Sequence, residues 1–103
     1  MRIVSKNTLR IMWIKYREAE HPLKTWYEEV RKSDWTNHND MKRTFRNASI
    51  VGPKRVIFNI KGNKYRLIVD IEYHIRLMFI VWFGTHSEYD KINVKSIAYD
   101  KGN

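Results

Sequence analysis

Apolar residues along this 103-residue chain follow two different periods, one in each half. Leu9, Met12, Trp13 and Tyr16 are spaced i, i+3, i+4, i+7, which puts them on one face of an α-helix, and Ser5 stands where an N-cap belongs. Leu23, Trp26, Tyr27 and Val30 repeat that spacing behind Pro22, a residue suited to the first helical position, until Ser33 and Asp34 break it. Asn39 or Asp40 could cap a shorter third helix through Met41 and Phe45, and Gly52-Pro53 marks a loop. Residues 2–4 read as a short strand ahead of the helices.

Beyond Pro53 the pattern changes. Residues 56–60, 65–71 and 77–83 are short, rich in β-branched and aromatic side chains, and separated by turn-like pieces, so they read as an antiparallel meander. The order predicts an α+β domain: an N-terminal strand and two to three helices packed on one face of an antiparallel β-sheet. With 43% apolar residues, 14% aromatics and no repeat or linker, one domain over residues 1–103 is expected.

The apolar side of the meander must stay on one face, which fixes a register once turns are assumed. A four-residue turn at Lys61-Gly62-Asn63-Lys64 pairs Ile60 with Tyr65, Phe58 with Leu67 and Val56 with Val69. A second turn near His74 pairs Tyr65 with Phe83, Leu67 with Val81, Val69 with Phe79 and Ile71 with Leu77. The opposite face then sets Asn59 beside Arg66, Arg66 beside Trp82 and Glu72 beside Arg76, with His86 just beyond. Ile57, Ile68, Met78 and Ile80 fall on that same face, so part of it should be covered.

Charge narrows the function. The net charge is +9, and Lys42, Arg43, Arg46, Lys54, Arg55, Lys61, Lys64 and Arg66 follow one another without an intervening acid. So basic a small domain attracts polyanions, nucleic acid or an acidic protein, although a basic face can also serve solubility alone. Without cysteine there is neither a disulfide framework nor a cysteine metal site, and a reducing cytoplasm is the natural compartment. The start MRIVSKNTLR lacks the apolar stretch of a signal peptide, and the apolar run 77–83 is too short to span a bilayer, so a soluble cytoplasmic protein with no membrane partner is expected. His86, Glu88 and Asp90 alternate but lack the histidine or cysteine pairs of strong metal sites, and no glycine-rich phosphate loop occurs; neither metal nor nucleotide cofactor is expected.

The polar end of the meander could act on RNA. Arg66 can hold a phosphate bidentately while Trp82 or Tyr89 stacks on an unpaired base. Metal-free cleavage needs a base for the 2′-hydroxyl proton, a cation for the crowded phosphate and an acid for the departing 5′-oxygen; His86, Arg66 and Lys91 are those chemical types, with Tyr89 a further donor or stacker. Asn59, Lys61, Lys64, Arg76, Lys42, Arg43 and Arg46 are candidate RNA contacts around them. Plainer roles compete: Arg66 could pair with Asp70 or Asp90, His86 could cap a helical turn made by SEYD, Trp82 and Tyr89 could be packing residues, and Lys61 and Lys64 ordinary turn residues.

The stretch FNIKGNKYRLIV followed by GTHSEYDKI resembles the HigB toxins of bacterial type II toxin–antitoxin modules, and MRIVSKNTLR, HPLKTWYEEVRKSDW and FRNASIVGPKRVIFNI extend the likeness over most of the chain. The resemblance implies a RelE-like fold and a metal- and cofactor-free mRNA interferase that cuts messages within translating ribosomes by 2′-hydroxyl attack. It also implies a HigA-type antitoxin, usually carrying a helix-turn-helix, through which alone operator DNA would be bound. By motif, the arginine of the YRL segment is Arg66, and the polar residues after the last strand are His86, Glu88, Tyr89, Asp90 and Lys91. One departure bears on mechanism: the RelE branch has lysines before its YRL arginine, where this chain has Ile57 and Asn59. His86 is the first candidate for the base, with Tyr89, Lys61 and Lys91 as competitors. A non-catalytic RNA-binding or antitoxin-bound homologue is the rival from a different class.

Overall fold

The computed structural model describes residues 1–98. Five strands in this range form one sheet in the order β1-β5-β4-β3-β2: β1 (Arg2–Val4), β2 (Ser49–Val51), β3 (Arg55–Ile60), β4 (Tyr65–Glu72) and β5 (Leu77–Thr85). The helices are α1 (Lys6–Lys15), α2 (Glu20–Lys32), α3 (His38–Thr44) and the short α4 (His86–Tyr89). The α+β architecture is the expected RelE-like one. One feature of the sheet differs from the expectation of a wholly antiparallel one: β1 lies parallel to β5, because α1 to α3 and three strands intervene before the chain returns beside it.

The helices begin where local chemistry dictates. Ser5 Oγ accepts the Thr8 N–H at 3.3 Å and starts α1. Pro22 sits in the first turn of α2, where a missing N–H removes no helical hydrogen bond, and Leu23, Trp26 and Val30 are buried below it. For α3 the cap is Asn37, two or three residues earlier than Asn39 or Asp40; its side chain accepts the Asp40 N–H at 2.9 Å. The stretch before Gly52-Pro53 also forms β2, an edge strand that pairs with β3.

The first hairpin has the expected register, with Phe58 opposite Leu67, and Asn59 opposite Arg66. The second does not. Tyr65 pairs with Thr85 instead of Phe83, Leu67 with Phe83 instead of Val81, Val69 with Ile80 instead of Phe79, and Ile71 with Met78 instead of Leu77. Trp82 therefore stands opposite Ile68, Gly84 takes the place opposite Arg66, and Glu72 faces Leu77 instead of Arg76. The register shifts between Ile68 and Val69, where Val81 is the extra residue on β5, a bulge. That bulge lets Met78, Ile80 and Phe83 all join the helix-side core, so Met78 and Ile80 lie on the face opposite to the one expected.

Leu9, Leu23, Trp26, Val30 and Met41 from the helices meet Phe58, Leu67, Val69 and Ile80 from the sheet in one core. The helices supply one cover. On the other face Ile57 and Ile68 are also buried, and the C-terminal stretch crosses nearby: Arg55 donates to the carbonyls of Val94 and Ile97.

Candidate active site

The polar end of the sheet is assembled from the β3–β4 turn, the end of β5 and α4. Lys61 and Gly62 both take left-handed backbone, at φ 54° and 62°, to reverse the chain. Thr85 starts α4 by a reciprocal capping box: its Oγ1 accepts the Glu88 N–H at 3.2 Å, while its own N–H donates to Glu88 Oε1 at 2.8 Å. His86 is thus the first residue of α4 and does not cap it. Its N–H donates to the Lys64 carbonyl at 3.0 Å, tying α4 to the hairpin turn.

Arg66 projects from β4 into this end. Its Nη1 donates to the carbonyls of Asn63 and Tyr65 at 3.0 and 3.2 Å, and its guanidinium lies over the Tyr89 ring at 5.8 Å. Neither acid foreseen as its partner takes it. Asp70 receives both arms of Arg55 at 2.8 Å, and Asp90 lies 3.1 Å from His86 Nδ1. Although Trp82 is no longer opposite Arg66, its indole leans along β5 over Gly84; a Cβ on that glycine would lie 2.6 and 2.7 Å from Cη2 and Cζ2. The indole reaches Tyr89, ring centroids 6.3 Å apart. Arginine, phenol and indole converge by a route other than the expected cross-strand pair.

A second layer supports the first. Tyr16 donates to Glu88 Oε1 at 2.7 Å and Tyr65 to Glu18 Oε1 at 2.6 Å, while Lys61 and Lys64 both pair with Glu18. Burial and then the hydrogen bond to glutamate push both phenols up to about 12, so at neutral pH they are donors and cannot serve as bases. Hydrogen bonds from Lys64, Tyr65 and Lys61 bring Glu18 down to about 2. The Thr85 backbone and the Tyr16 hydroxyl hold Glu88 below its ordinary value. The THSE spacing of a capping box was the available signal for Glu88; nothing local connects Tyr16 or Glu18 to a hairpin more than forty residues away.

The remaining candidates divide. Asn59, whose amide approaches the Asn47 carbonyl at 3.5 Å, lines a pocket of about 470 Å³ with Phe45, Arg46 and Asn63, next to Arg66. Lys42 is engaged in shaping that loop, donating to the carbonyls of Arg46 and Ala48. Arg43 pairs with Asp40 yet projects outward, and Lys91 is exposed beside α4. Arg76 lies at the opposite end of the sheet, paired with Asp34 at 2.7 Å. Glu88 turns to Tyr16 while His86 faces Asp90, so the alternating acids do not converge, and among the described residues no three histidines or acids form a metal-binding group.

The model of the HigB toxins, the RelE-like toxic component of a toxin–antitoxin system, matches residues 19–92. The chain belongs to the HigB toxin family. The matched range holds the β3–β4 turn, Arg66, Trp82 and α4, whereas α1 and Tyr16 of this toxin precede it. Membership of a toxin–antitoxin system implies an antitoxin partner. No curated protein matches the toxin, and among the described residues no helix is long and apolar enough to cross a membrane.

Proposed function

We propose that this toxin is a metal-independent endoribonuclease, acting as one domain in the cytoplasm, that cuts mRNA on translating ribosomes and is neutralised by a HigA-type antitoxin. The observation that carries the proposal is Arg66: a guanidinium oriented by two backbone carbonyls and an aromatic face, with no carboxylate paired to it among the described residues. Such a group is preorganised for a phosphate that gains charge in the transition state.

His86 takes the 2′-hydroxyl proton. Asp90 supports that role, because a carboxylate accepting from Nδ1–H leaves Nε2 as the free basic nitrogen. The 2′-oxygen attacks phosphorus, Arg66 stabilises the added charge, and Lys91 or Tyr89 protonates the departing 5′-oxygen, giving a 2′,3′-cyclic phosphate and a 5′-hydroxyl. Trp82 and Tyr89 stack on splayed bases, and Asn59, Lys61, Lys64, Arg43 and Arg46 border the RNA path. Operator DNA is reached only through the antitoxin.

Primer extension on a translated message tests the site, comparing wild type with an Arg66→Ala plus His86→Ala variant of normal melting behaviour. Stops in the message that vanish with the double variant are expected. Equal cleavage by both proteins would sink the site, and ribosome binding without any cleavage would favour a non-catalytic RNA-binding role.

A further inference from the structure

The two long helices treat their outer faces differently. On α2 the apolar residues keep to the inner side, as expected of a helix on a sheet. On α1 they do not: Leu9, Met12, Trp13 and Tyr16 point inward, yet Ile11 and Ile14 are 62% and 56% exposed, adjacent on the outer face at i, i+3 spacing. A groove of about 520 Å³ between α1 and α2 flanks this stripe, lined by Trp13, Tyr27, Lys6, Arg10 and Lys24.

Charge says what kind of occupant this face accepts. The α1 segment KNTLRIMWIK contains no acid, and Lys6, Arg10 and Lys15 frame its isoleucines. Lys6 and Lys24 lie over the rings of Tyr27 and Trp13 at 5.2 Å; Glu28 also lines the groove and Lys24 pairs with Glu20 at 2.6 Å, so the groove presents aromatic surface whose rim is basic chiefly on the α1 side, at Lys6 and Arg10. Basic residues alone would suit RNA equally well. Two neighbouring exposed isoleucines favour a protein, because a phosphate backbone gains nothing from aliphatic surface and an apolar side chain does.

We propose that the outer face of α1, with the α1–α2 groove, is where the toxin binds its antitoxin, through a segment carrying apolar residues toward Ile11 and Ile14 and acids toward Lys6 and Arg10. The antitoxin is a partner implied by the family; the surface is assigned from Ile11, Ile14 and the groove. The docked segment would abut the candidate site, since Tyr16, directly after α1, is the residue that holds Glu88 of α4.

The test measures binding of the purified antitoxin from the same module to wild-type toxin, to Ile11→Asp plus Ile14→Asp, to Arg10→Glu, and to Ile50→Asp on edge strand β2, by calorimetry at two salt concentrations. Both isoleucines are solvent-exposed, so the melting transition should persist, and it is checked for each variant. The expected result is an affinity loss of roughly 30-fold or more for the double variant, about 10-fold for Arg10→Glu shrinking as salt rises, and no change for Ile50→Asp. Unchanged affinity in a folded double variant overturns the proposal. So does loss confined to Ile50→Asp, which would mean that the antitoxin adds to the sheet edge. Binding is read without RNA cleavage, so an inactive site would leave the test intact.

Discussion

Arg55 and Arg66 stand on the same face of the β3–β4 ladder, at opposite ends, and their surroundings differ. Arg55 is enclosed: both arms meet Asp70, its Nη1 reaches two carbonyls of the C-terminal stretch, and 14% of its side chain is exposed. Arg66 has backbone carbonyls and the Tyr89 ring about it. A guanidinium matched by a carboxylate fastens strands and a terminal segment together. One matched by neutral groups keeps its full charge for an incoming anion. Sequence alone treats the two as members of one basic run, so the neighbours supply the distinction.

Substitutions along this ladder should tell the two arginines apart. Phe58, on the helix-side face of the same ladder, packs against Trp26 and Phe45, so Phe58→Ala should cost about 3 to 5 kcal/mol and leave the domain largely unfolded in denaturant titration. Arg55→Ala should come next, at about 2 to 4 kcal/mol, because it strands the Asp70 carboxylate in a mostly buried position. Thermal melting would register it, with translation arrest retained by whatever fraction stays folded. Arg66→Ala should reverse that pattern: about 0.5 to 1 kcal/mol of stability from the lost ring contact, but a fall of about 100-fold or more in mRNA cleavage. If the two substitutions cost the fold equally, Arg66 is a structural residue.

Gly84→Ala probes how the Arg66 end is built. The new methyl group collides with the Trp82 indole and comes within 2.9 Å of Glu88 Oε1, so the indole swings aside while the strand survives. A displaced Trp82 indole N–H resonance with a nearly unchanged melting temperature is expected. The smallest effect concerns pH. Glu18 has its folded pKa lowered to about 2 by Lys64, Tyr65 and Lys61, so its contribution is fully present above the ordinary value near 4.5 and is lost as pH falls toward 2. The difference in melting temperature between wild type and Glu18→Gln should narrow across that interval and stay flat from pH 5 to 7.

Several elements were legible because the forces behind them are local. Ser5 caps α1, the 3.6-residue period orients α1 and α2, and the Gly62 turn sets Asn59 opposite Arg66. The β4–β5 pairing was not legible. Residues 77–83 are apolar at every position, so alternation gives no preferred face, and a bulge at Val81 and a left-handed Arg76 fixed the register instead. β2 was hidden for a related reason: three residues pairing along an edge leave little pattern.

From the sequence alone came an α+β chain with a basic run from Lys42 to Arg66 and a polar segment after its last strand, and its resemblance named the toxin family. Periodicity, capping and charge act within a few residues and survive reading in one dimension. The tertiary structure decided that Asp70 pairs with Arg55 and not with Arg66, that Trp82 reaches Tyr89 across Gly84, and that Tyr16 and Glu18 brace the site from distant positions. Those outcomes depend on which groups meet after the sheet closes, and a hydrogen bond across 72 residues leaves no local trace in the chain.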